Sequence, residues 1–376
     1  MQYIQPTRTF RPYPHSFDGK NINVVFCIDK AYVRPLGVTL ASLLVNNRGA
    51  SPRIFVVAPV LDAEDVQRLN AVVQPVGVEL AFRQGEDSRV AGLREMQHIS
   101  RATYYRLLLP EILADVDKII YLDCDLVVES DLLELWNTDV TGLGCAGVDE
   151  VNTPHGKRLE TELDCYVNAG VLVLNLDYWR RHGVMNTCLE WLAANRERAS
   201  LLEQDAINVV LHGHKGKIDR RWNLNPGPER SLDTLVQYPQ RIIHFAGPHK
   251  PWHRYYDFDL QDIYRKYVNL TPWAGSYAPA EPRNAAQSAL VANQMHQRGD
   301  YAGAARYYQT ALEFQLKGRA IGSKLLFDCI NGGHRHFNNQ DHVSACEHYR
   351  SAFEHWGYPI TYSSVYAMPG TLDGIY

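Results

Sequence analysis

The stretch Lys118-Ile-Ile-Tyr-Leu-Asp-Cys-Asp125 joins a short apolar run to two carboxylates that are separated by one residue. Residues 119–122 have the pattern of a buried strand, because they are apolar and partly β-branched. Open α/β sheets bind ligands at the edge where parallel strands end. Extended backbone turns residues i and i+2 to the same side, so Asp123 and Asp125 can converge on one divalent cation. The alternative is a solvated loop that carries two acids.

Strand and helix patterns alternate along roughly the first 250 residues, which predicts a mostly parallel sheet with helices on both faces. The predicted strands after residue 20 are 23–28, 53–58, 78–83, 119–122, 145–148, 170–175 and 241–245. The predicted helices are 38–46, 61–72, 103–109, 177–195 and 204–211. We expect the third helix to stop at Pro110, since proline interrupts the helical hydrogen-bond ladder.

Composition excludes several classes of protein. The formal net charge of −4 argues against nucleic acid as a partner. The seven cysteines contain no C-x-x-C pair, so we expect reduced thiols and a cytoplasmic protein rather than a disulfide framework or zinc site. The first twenty residues lack the apolar core of a signal peptide. The longest apolar stretches reach about ten residues, too short to cross a bilayer.

The character of the chain changes after Pro251. Residues 276–282 read as a linker, and beyond it the segment 300–313 matches 341–354 at an offset of 41. The matching positions have helical spacing and predict tetratricopeptide-like hairpins, an all-α extension. We therefore predict a lead-in at 1–20, a catalytic domain at 21–275, a helical extension at 283–360 and a tail at 361–376.

The stretch His244-Phe-Ala-Gly-Pro-His-Lys-Pro-Trp-His253 is the second chemical signal. Gly247 and Pro248 predict a turn with exposed N–H groups, and Lys250 supplies a mobile positive charge suited to phosphate. An imidazole beside two carboxylates is a mixed nitrogen and oxygen site, which suits Mn²⁺ better than Mg²⁺. Taken alone, a histidine such as His244 is more often a capped core residue than a ligand, but its occurrence together with the Gly-Pro-x-Lys-Pro turn favours a ligand.

Six motifs within residues 22–275 together resemble family 8 retaining glycosyltransferases of the GT-A fold. They are NVVFCIDKAYVRPLGVTLASLLVNN, HISRATYYRLLLP, KIIYLDCDLVVESDL, YVNAGVLVLNLDYWR, EQDAINVVL and IIHFAGPHKPWH. FCIDK, DIYRKYVNLTPW and the helical extension further resemble lipopolysaccharide core glucosyl- and galactosyltransferases. The resemblance implies a Rossmann-like catalytic domain that takes a hexose, glucose or galactose, from a UDP-sugar donor.

The resemblance also implies roles for individual residues toward the donor. Asp123, Asp125 and His244 would ligate Mn²⁺, with Mg²⁺ as the alternative, and the metal would hold the UDP diphosphate. The other residues of the donor-binding set would contact the uracil, the phosphates or the sugar. Asp29 would accept from the uracil and Tyr32 would stack on it; Gly247 and Lys250 would contact phosphate; and Arg106 would bond the sugar.

A further group of polar residues is expected around the sugar hydroxyls and the anomeric carbon. These candidate catalytic residues are Asp149, Asn168, Glu203, Gln204 and Asp205. Gln204 is a poor nucleophile because it is uncharged, which favours attack by the acceptor on the same face that UDP leaves.

Two residues depart from the family pattern. Cys124 is the middle residue of the acidic motif and is therefore included in the donor-binding set. We nevertheless expect its side chain to point into the core. Glu203 stands where the family often has aspartate, and its extra methylene could change which sugar fits.

Alternatives remain for the acceptor and for the protein class. A lipopolysaccharide core acceptor is expected, and a protein or polysaccharide acceptor is the alternative. An aspartyl phosphatase is a more distant alternative, since Leu126-Val127 replace the Gly-Thr that follows the phosphatase motif. A non-catalytic helical-repeat scaffold is also distant, since Asp123, Asp125, His244 and Lys250 are present. Six cations of the extension would suit peripheral contact with the inner face of the cytoplasmic membrane, or simply form a solvated helix face. They are Arg283, Arg298, Arg306, Lys317, Arg319 and Lys324.

Overall fold

The computed structural model describes residues 19–85, 87–95, 101–150, 159, 163, 165–226, 235–317 and 324–355. These residues form two compact units. The first comprises the described residues of 19–225, 235–246 and 265–277, and the second those of 226, 247–264 and 278–355. Residues 247–264, which the sequence analysis places in the catalytic domain, thus group with the second unit. The segments 1–18 and 356–376, with most of the predicted lead-in and all of the predicted tail, lie outside the described residues.

The first unit is built on a seven-stranded sheet with the strand order β3-β2-β1-β4-β7-β6-β8. A separate two-stranded sheet pairs β5 with β9. The strands are β1 Lys20–Cys27, β2 Ala50–Ala58, β3 Leu80–Gln84, β4 Lys118–Leu122, β5 Leu126–Glu129, β6 Cys145–Asp149, β7 Val167–Asn175, β8 Lys215–Ile218 and β9 Arg241–His244. Only β7 runs antiparallel to its neighbours in the larger sheet, so the predicted mostly parallel sheet is confirmed.

Helices cover both faces of this sheet, as the sequence predicts. The helices of the unit are α1 Val33–Asn46, α2 Ala63–Val73, α3 Tyr105–Ile112, α4 Leu133–Trp136, α5 Leu176–Arg181, α6 Val184–Ala194 and α7 Glu203–Val210, and α8 Phe258–Val268 ends in it. Strand β4 contributes Ile120 and Leu122 to the core beneath α1 and α2. It contributes Ile119 and Tyr121 to the core beneath α3 and α5 to α7. Each fully buried side chain of this kind stabilises the fold by about 1.5–3 kcal/mol.

Two predicted helices differ from those observed. The helix predicted at 177–195 is two helices, because Gly183 takes a left-handed conformation with φ of 63° between α5 and α6. The helix predicted to stop at Pro110 continues to Ile112, since the N–H of Leu113 still donates to the carbonyl of Leu109. The strands β5 and β8 were not predicted. Strand β8 is polar and lies at the edge of the sheet, so it lacks the apolar run that marks an inner strand.

The second unit contains the predicted helical hairpins, formed by α9 Ala285–Gln297, α10 Tyr301–Leu316, α11 Lys324–Asn338 and α12 His342–His355. Helix α9 packs on α10, and α11 packs on α12. The repeat is visible in hydrogen bonds, because Tyr308 donates to Asn293 and the hydroxyl of Tyr349 lies 2.8 Å from Nδ1 of His334. In both pairs the partner lies 15 residues earlier, on the preceding helix.

The part of the chain that the structure describes has no helix with the length and apolar character needed to cross a membrane. All seven cysteines are free, in agreement with the expectation of reduced thiols. Burial raises the pKa of Cys124 well above its ordinary value, and its side chain lies in the core as expected.

Glycine at position 37 allows the segment 265–277 to pack on α1. A Cβ at Gly37 would overlap the indole ring of Trp273. We expect Gly37→Ala to destabilise the protein, because overpacking costs about 1–3 kcal/mol and outweighs the roughly 1 kcal/mol gain in helix propensity. Urea unfolding measures the change. Gly275→Ala is the matched control, since a Cβ there meets nothing within 4 Å; equal stabilities of the two variants would contradict the prediction.

Candidate active site

Three potential metal ligands are placed by the ends of two strands. Asp123 follows β4 directly, and its N–H donates to the carbonyl of Gly170 at 2.8 Å. The carbonyl of Asp125 accepts from the N–H of Phe245 at 3.0 Å. His244 ends β9 and pairs with Leu126 of β5. The backbone therefore fixes all three side chains at the edge of the sheet where β4 ends.

The ligand atoms of Asp123, Asp125 and His244 all lie within 4.8 Å of one another. Nε2 of His244 is 3.5 Å from Oδ1 of Asp125 and 3.7 Å from Oδ2 of Asp123. Asp125 and His244 are buried, while Asp123 is partly exposed. Two carboxylates and one imidazole form a donor set that suits Mn²⁺, so the residues present fit a divalent cation.

Arg106 holds the side of Asp123 that faces away from His244. Its Nη2 lies 2.8 Å from Oδ1 of Asp123, and the hydroxyl of Tyr121 donates to the same oxygen at 2.8 Å. Nη1 of Arg106 donates to the carbonyl of Ala169, and Nε lies 3.3 Å from Oε1 of Glu203. Arg106 is 5% exposed. In this structure it orients Asp123, so that Oδ2 faces His244.

The model for glycosyl transferase family 8 matches residues 23–255. The chain belongs to this family.

Curated relatives and solved structures agree with this membership. The lipopolysaccharide 1,3-galactosyltransferase of Salmonella typhimurium is 25% identical over 321 residues, which cover 82% of this chain and 95% of that protein. The lipopolysaccharide 1,2-glucosyltransferase of Escherichia coli K12 is 24% identical over 266 residues, 67% of this chain and 79% of the relative. The crystal structure of galactosyltransferase LgtC with donor and acceptor sugar analogs is 27% identical, with a TM-score of 0.59, and covers 68% of this chain and 96% of LgtC.

The family 8 motif at the start of α7 provides three successive polar side chains. Oε1 of Glu203 accepts from Thr103 at 2.6 Å, while its buried Oε2 has no hydrogen-bond partner among the described residues. Gln204 accepts from the N–H of Ala169 at 2.9 Å and donates to the hydroxyl of Tyr166. Asp205 is fully buried and accepts from Tyr166 and from the N–H of Leu201, so neither oxygen faces solvent.

Two residues, Asp29 and Tyr32, are predicted to contact the uracil, and they lie in the turn that follows β1. Oδ1 of Asp29 accepts from the N–H groups of Ala31 and Tyr32 at 2.8 and 3.2 Å, so one carboxylate oxygen caps this turn. Burial, and then the negative charges of Asp125 and Asp123, raise the pKa of Tyr32. The Tyr32 phenol therefore lies within electrostatic reach of the acidic motif.

The remaining predicted residues of the first unit are engaged with the protein. Oδ1 of Asp149 accepts from the N–H of Tyr166, and its Oδ2 lies 2.6 Å from Nζ of Lys217. Oδ1 of Asn168 accepts from the N–H of Gly170 at 2.9 Å and from Nδ2 of Asn223 at 2.8 Å. Asn168 is thus linked through Asn223 to His244, one of the three potential metal ligands, whereas Asp149 forms an ion pair with Lys217 of β8.

Gly247 and Lys250 belong to the second unit, and their predicted contacts with phosphate stay predictions. Gly247 has a left-handed backbone with φ of 86°, in keeping with the predicted turn. Lys250 is buried, and its N–H donates to Nδ1 of His253.

Three side chains at the site were missed from the sequence. Tyr121 could have been found, because it lies two residues before Asp123 on the same extended backbone. Thr103 could also have been found, because it lies three residues before Arg106 in the motif HISRATYYRLLLP. Asn223 comes from a distant segment, and no local pattern in the sequence marks it.

The carboxyl of Glu203 gives the stability of the protein a pH dependence. Burial raises its pKa above the ordinary value, while the charge of Arg106 and the hydrogen bond from Thr103 oppose this shift. Because the folded state holds the proton more tightly, the wild type loses stability as pH rises from the unfolded pKa of about 4.3 through the higher folded pKa. Glu203→Gln does not titrate, so its stability relative to wild type should increase across that window and stay constant below it.

Urea unfolding of both proteins at a series of pH values measures this difference. Glu79→Gln is the matched control, since it makes the same substitution at an exposed glutamate. A relative stability of Glu203→Gln that falls with rising pH would contradict the assignment.

Proposed function

We propose that this family 8 glycosyltransferase transfers glucose or galactose from a UDP-sugar to a hydroxyl of a glycan acceptor, with retention of the anomeric configuration and with a divalent metal. The observation that carries the proposal is the convergence of Asp123, Asp125 and His244 at the end of β4. A bound Mn²⁺ would supply Lewis-acid stabilisation of the charge that develops on the departing diphosphate.

The chain's own residues would bind and orient the donor. Asp29 and Tyr32 are proposed to hold the uracil, and the electrostatic effect of the acidic motif on the Tyr32 phenol supports this role. Gly247 and Lys250 are proposed to contact the diphosphate on the strength of the sequence motif alone. Arg106 is proposed to act on the donor chiefly by fixing Asp123, since its guanidinium is committed to protein oxygens.

The proposed chemistry is attack by the acceptor hydroxyl on the face from which UDP departs, with an oxygen of UDP taking the proton. The neutral amide of Gln204 already bridges Ala169 and Tyr166, and Asp205 has no exposed oxygen. Both observations disfavour a covalent intermediate on these two residues. An oxygen-rich wall formed by Asn168 and Gln204 would favour the positive charge that grows on the sugar ring.

The names of two relatives support the choice of sugars, because one is a galactosyltransferase and the other a glucosyltransferase. Both names also specify lipopolysaccharide, so we propose its core as the acceptor, with protein or polysaccharide as the alternative. Glu203 is proposed to recognise the sugar, since its Oε2 has no partner among the described residues and a sugar hydroxyl could donate to it.

We also propose peripheral contact of the helical extension with an anionic membrane surface. Of the six cations suggested for it, Arg298 forms ion pairs with Asp259 and Asp262, which reduces its positive charge toward lipid. Arg319 lies outside the described residues, as does the side chain of Lys324. We therefore propose a cytoplasmic enzyme that meets its acceptor at the inner face of the membrane.

Release of UDP from UDP-glucose and UDP-galactose, with Mn²⁺ or with EDTA, tests the function. We expect slow turnover of one donor without acceptor, since water can take the acceptor's place, and loss of turnover in EDTA. Asp125→Asn removes one charged ligand and should lower the rate by about a hundredfold or more, given that outer residues alone contribute about 10–100-fold.

Asp115→Asn is the matched control, because Asp115 is exposed in the loop before β4 and should leave the rate unchanged. Failure of both donors to bind or turn over would contradict the donor assignment and bring other nucleotide sugars, or the scaffold function, forward. A wild-type rate in Asp125→Asn would contradict the metal site.

Intact mass spectrometry of enzyme quenched during turnover tests the proposed reaction path. We expect no covalent hexose on the protein, because the acceptor attacks the donor directly. Peptide mapping of Glu203→Gln and wild type serves as the control for non-specific glycation. A hexose that appears only in the wild type, on Glu203 or Asp205, would contradict front-face attack.

A further inference from the structure

Nδ1 of His244, on the side of the ring that faces away from the acidic motif, forms a hydrogen bond with Asn223. Nδ1 of His244 lies 2.8 Å from Oδ1 of Asn223, and both side chains are buried. The side chain of Asn223 in turn lies 2.8 Å from Asn168, through Nδ2. The contacts form a chain that runs from the backbone of β7 to the imidazole, and each link constrains the next.

The direction of this chain is set by a group that can only donate. The backbone N–H of Gly170 lies 2.9 Å from Oδ1 of Asn168, so this atom is an oxygen rather than the amide nitrogen. An oxygen can accept a second hydrogen bond, and the atom of Asn223 that faces it is therefore the NH₂ group. The remaining atom of Asn223, which faces His244, must be its oxygen.

An amide oxygen has no proton to give, so Nδ1 of His244 must carry one. In a neutral imidazole the proton on Nδ1 leaves Nε2 with its lone pair. Nε2 is the nitrogen that faces Asp123 and Asp125, at 3.7 and 3.5 Å. Three electron-rich atoms then point toward one another, an arrangement that a cation stabilises.

The backbone holds Asn223 in register with His244. Asn223 ends the 3₁₀-helix Arg220–Asn223, which Asp219 caps through the N–H of Arg221. The next residue, Leu224, donates to the carbonyl of Ile242 and accepts from the N–H of His244. A Cβ at Gly170 would overlap the His244 ring, so β7 closes the other side of the imidazole.

We propose that Asn223 is a positioning residue that fixes the proton of His244 on Nδ1 and so presents Nε2 as a metal ligand. Asn168 supports it by fixing the orientation of the Asn223 amide. The proposal rests on the metal-dependent function proposed above. Outer hydrogen bonds of this kind typically change metal affinity by about 10–100-fold.

The direct test is ¹⁵N NMR of the metal-free wild type labelled at histidine, at a pH above the ordinary histidine range, with His244 assigned by difference against His244→Gln. We expect Nδ1 of His244 to be protonated and Nε2 to be bare. The reverse pattern, with the proton on Nε2 and Nδ1 bare, overturns the proposal. This measurement needs neither a metal nor a folded variant at position 223.

The second test is Mn²⁺ affinity, measured by EPR of the free ion without nucleotide, for wild type, Asn223→Leu and Asn223→Asp. We expect Asn223→Leu to bind about 10–100-fold more weakly. Asn223→Asp keeps an acceptor for Nδ1–H but loses the NH₂ group that donates to Asn168, so its affinity should lie between those of wild type and Asn223→Leu. Asn47→Leu controls for the loss of a buried amide, since the side chain of Asn47 bonds the backbone of Leu43 and Leu132.

The outcomes separate this proposal from the proposed function. Wild-type affinity in Asn223→Leu, with an unchanged melting temperature, overturns the role of Asn223 while leaving the metal site intact. Absence of Mn²⁺ binding in the wild type itself instead contradicts the metal-dependent function. If Asn223→Leu does not fold, the NMR result decides. A proton on Nδ1 of His244 supports the proposal, and a bare Nδ1 with the proton on Nε2 overturns it.

Discussion

The buried guanidinium of Arg106 lies between the carboxylates of Asp123 and Glu203, and the geometry of the candidate site depends on this arrangement. Removing charged groups from water costs several kcal/mol each, which only close pairing and hydrogen bonding recover. One positive charge here faces three carboxylates when Asp125 is included, so the cluster carries an excess of negative charge. A divalent cation between Asp123 and Asp125 would balance it, and burial raises the pKa of Glu203 within the same cluster.

The direction of β7 explains how so many site residues meet at one edge. Because β7 runs antiparallel to β4, its first residues lie beside the last residues of β4, where Leu122 pairs with Val171. The backbone of Ala169 and Gly170 therefore uses all four of its hydrogen-bonding groups at this edge, and the partners are Arg106, Gln204, Asn168 and Asp123. A parallel strand would place that backbone at the opposite end of the sheet.

The sequence predicts those parts of the site that local patterns encode. The alternation of an extended chain places Asp123 and Asp125 on one side, and the apolar strand before His244 places it at a strand end. It does not reveal that β7 is antiparallel, since strand direction depends on which neighbours pair. It also does not reveal Asn223, which lies 21 residues before His244 in a short 3₁₀ turn and acts through a non-local contact.

The three polar residues at the start of α7 show why a motif cannot be assigned to one role. Successive helical residues point about 100° apart, so Glu203, Gln204 and Asp205 cannot all face one anomeric carbon. Glu203 contacts Arg106, Gln204 contacts the backbone of β7, and Asp205 contacts Tyr166 inside the core. Only Glu203 keeps an oxygen without a protein partner among the described residues. A buried acceptor in this state is costly, and a hydroxyl of a bound sugar is the kind of group that would satisfy it. Among these three residues, Glu203 is the one that departs from the family pattern, and it is also the one for which we propose a contact with the sugar.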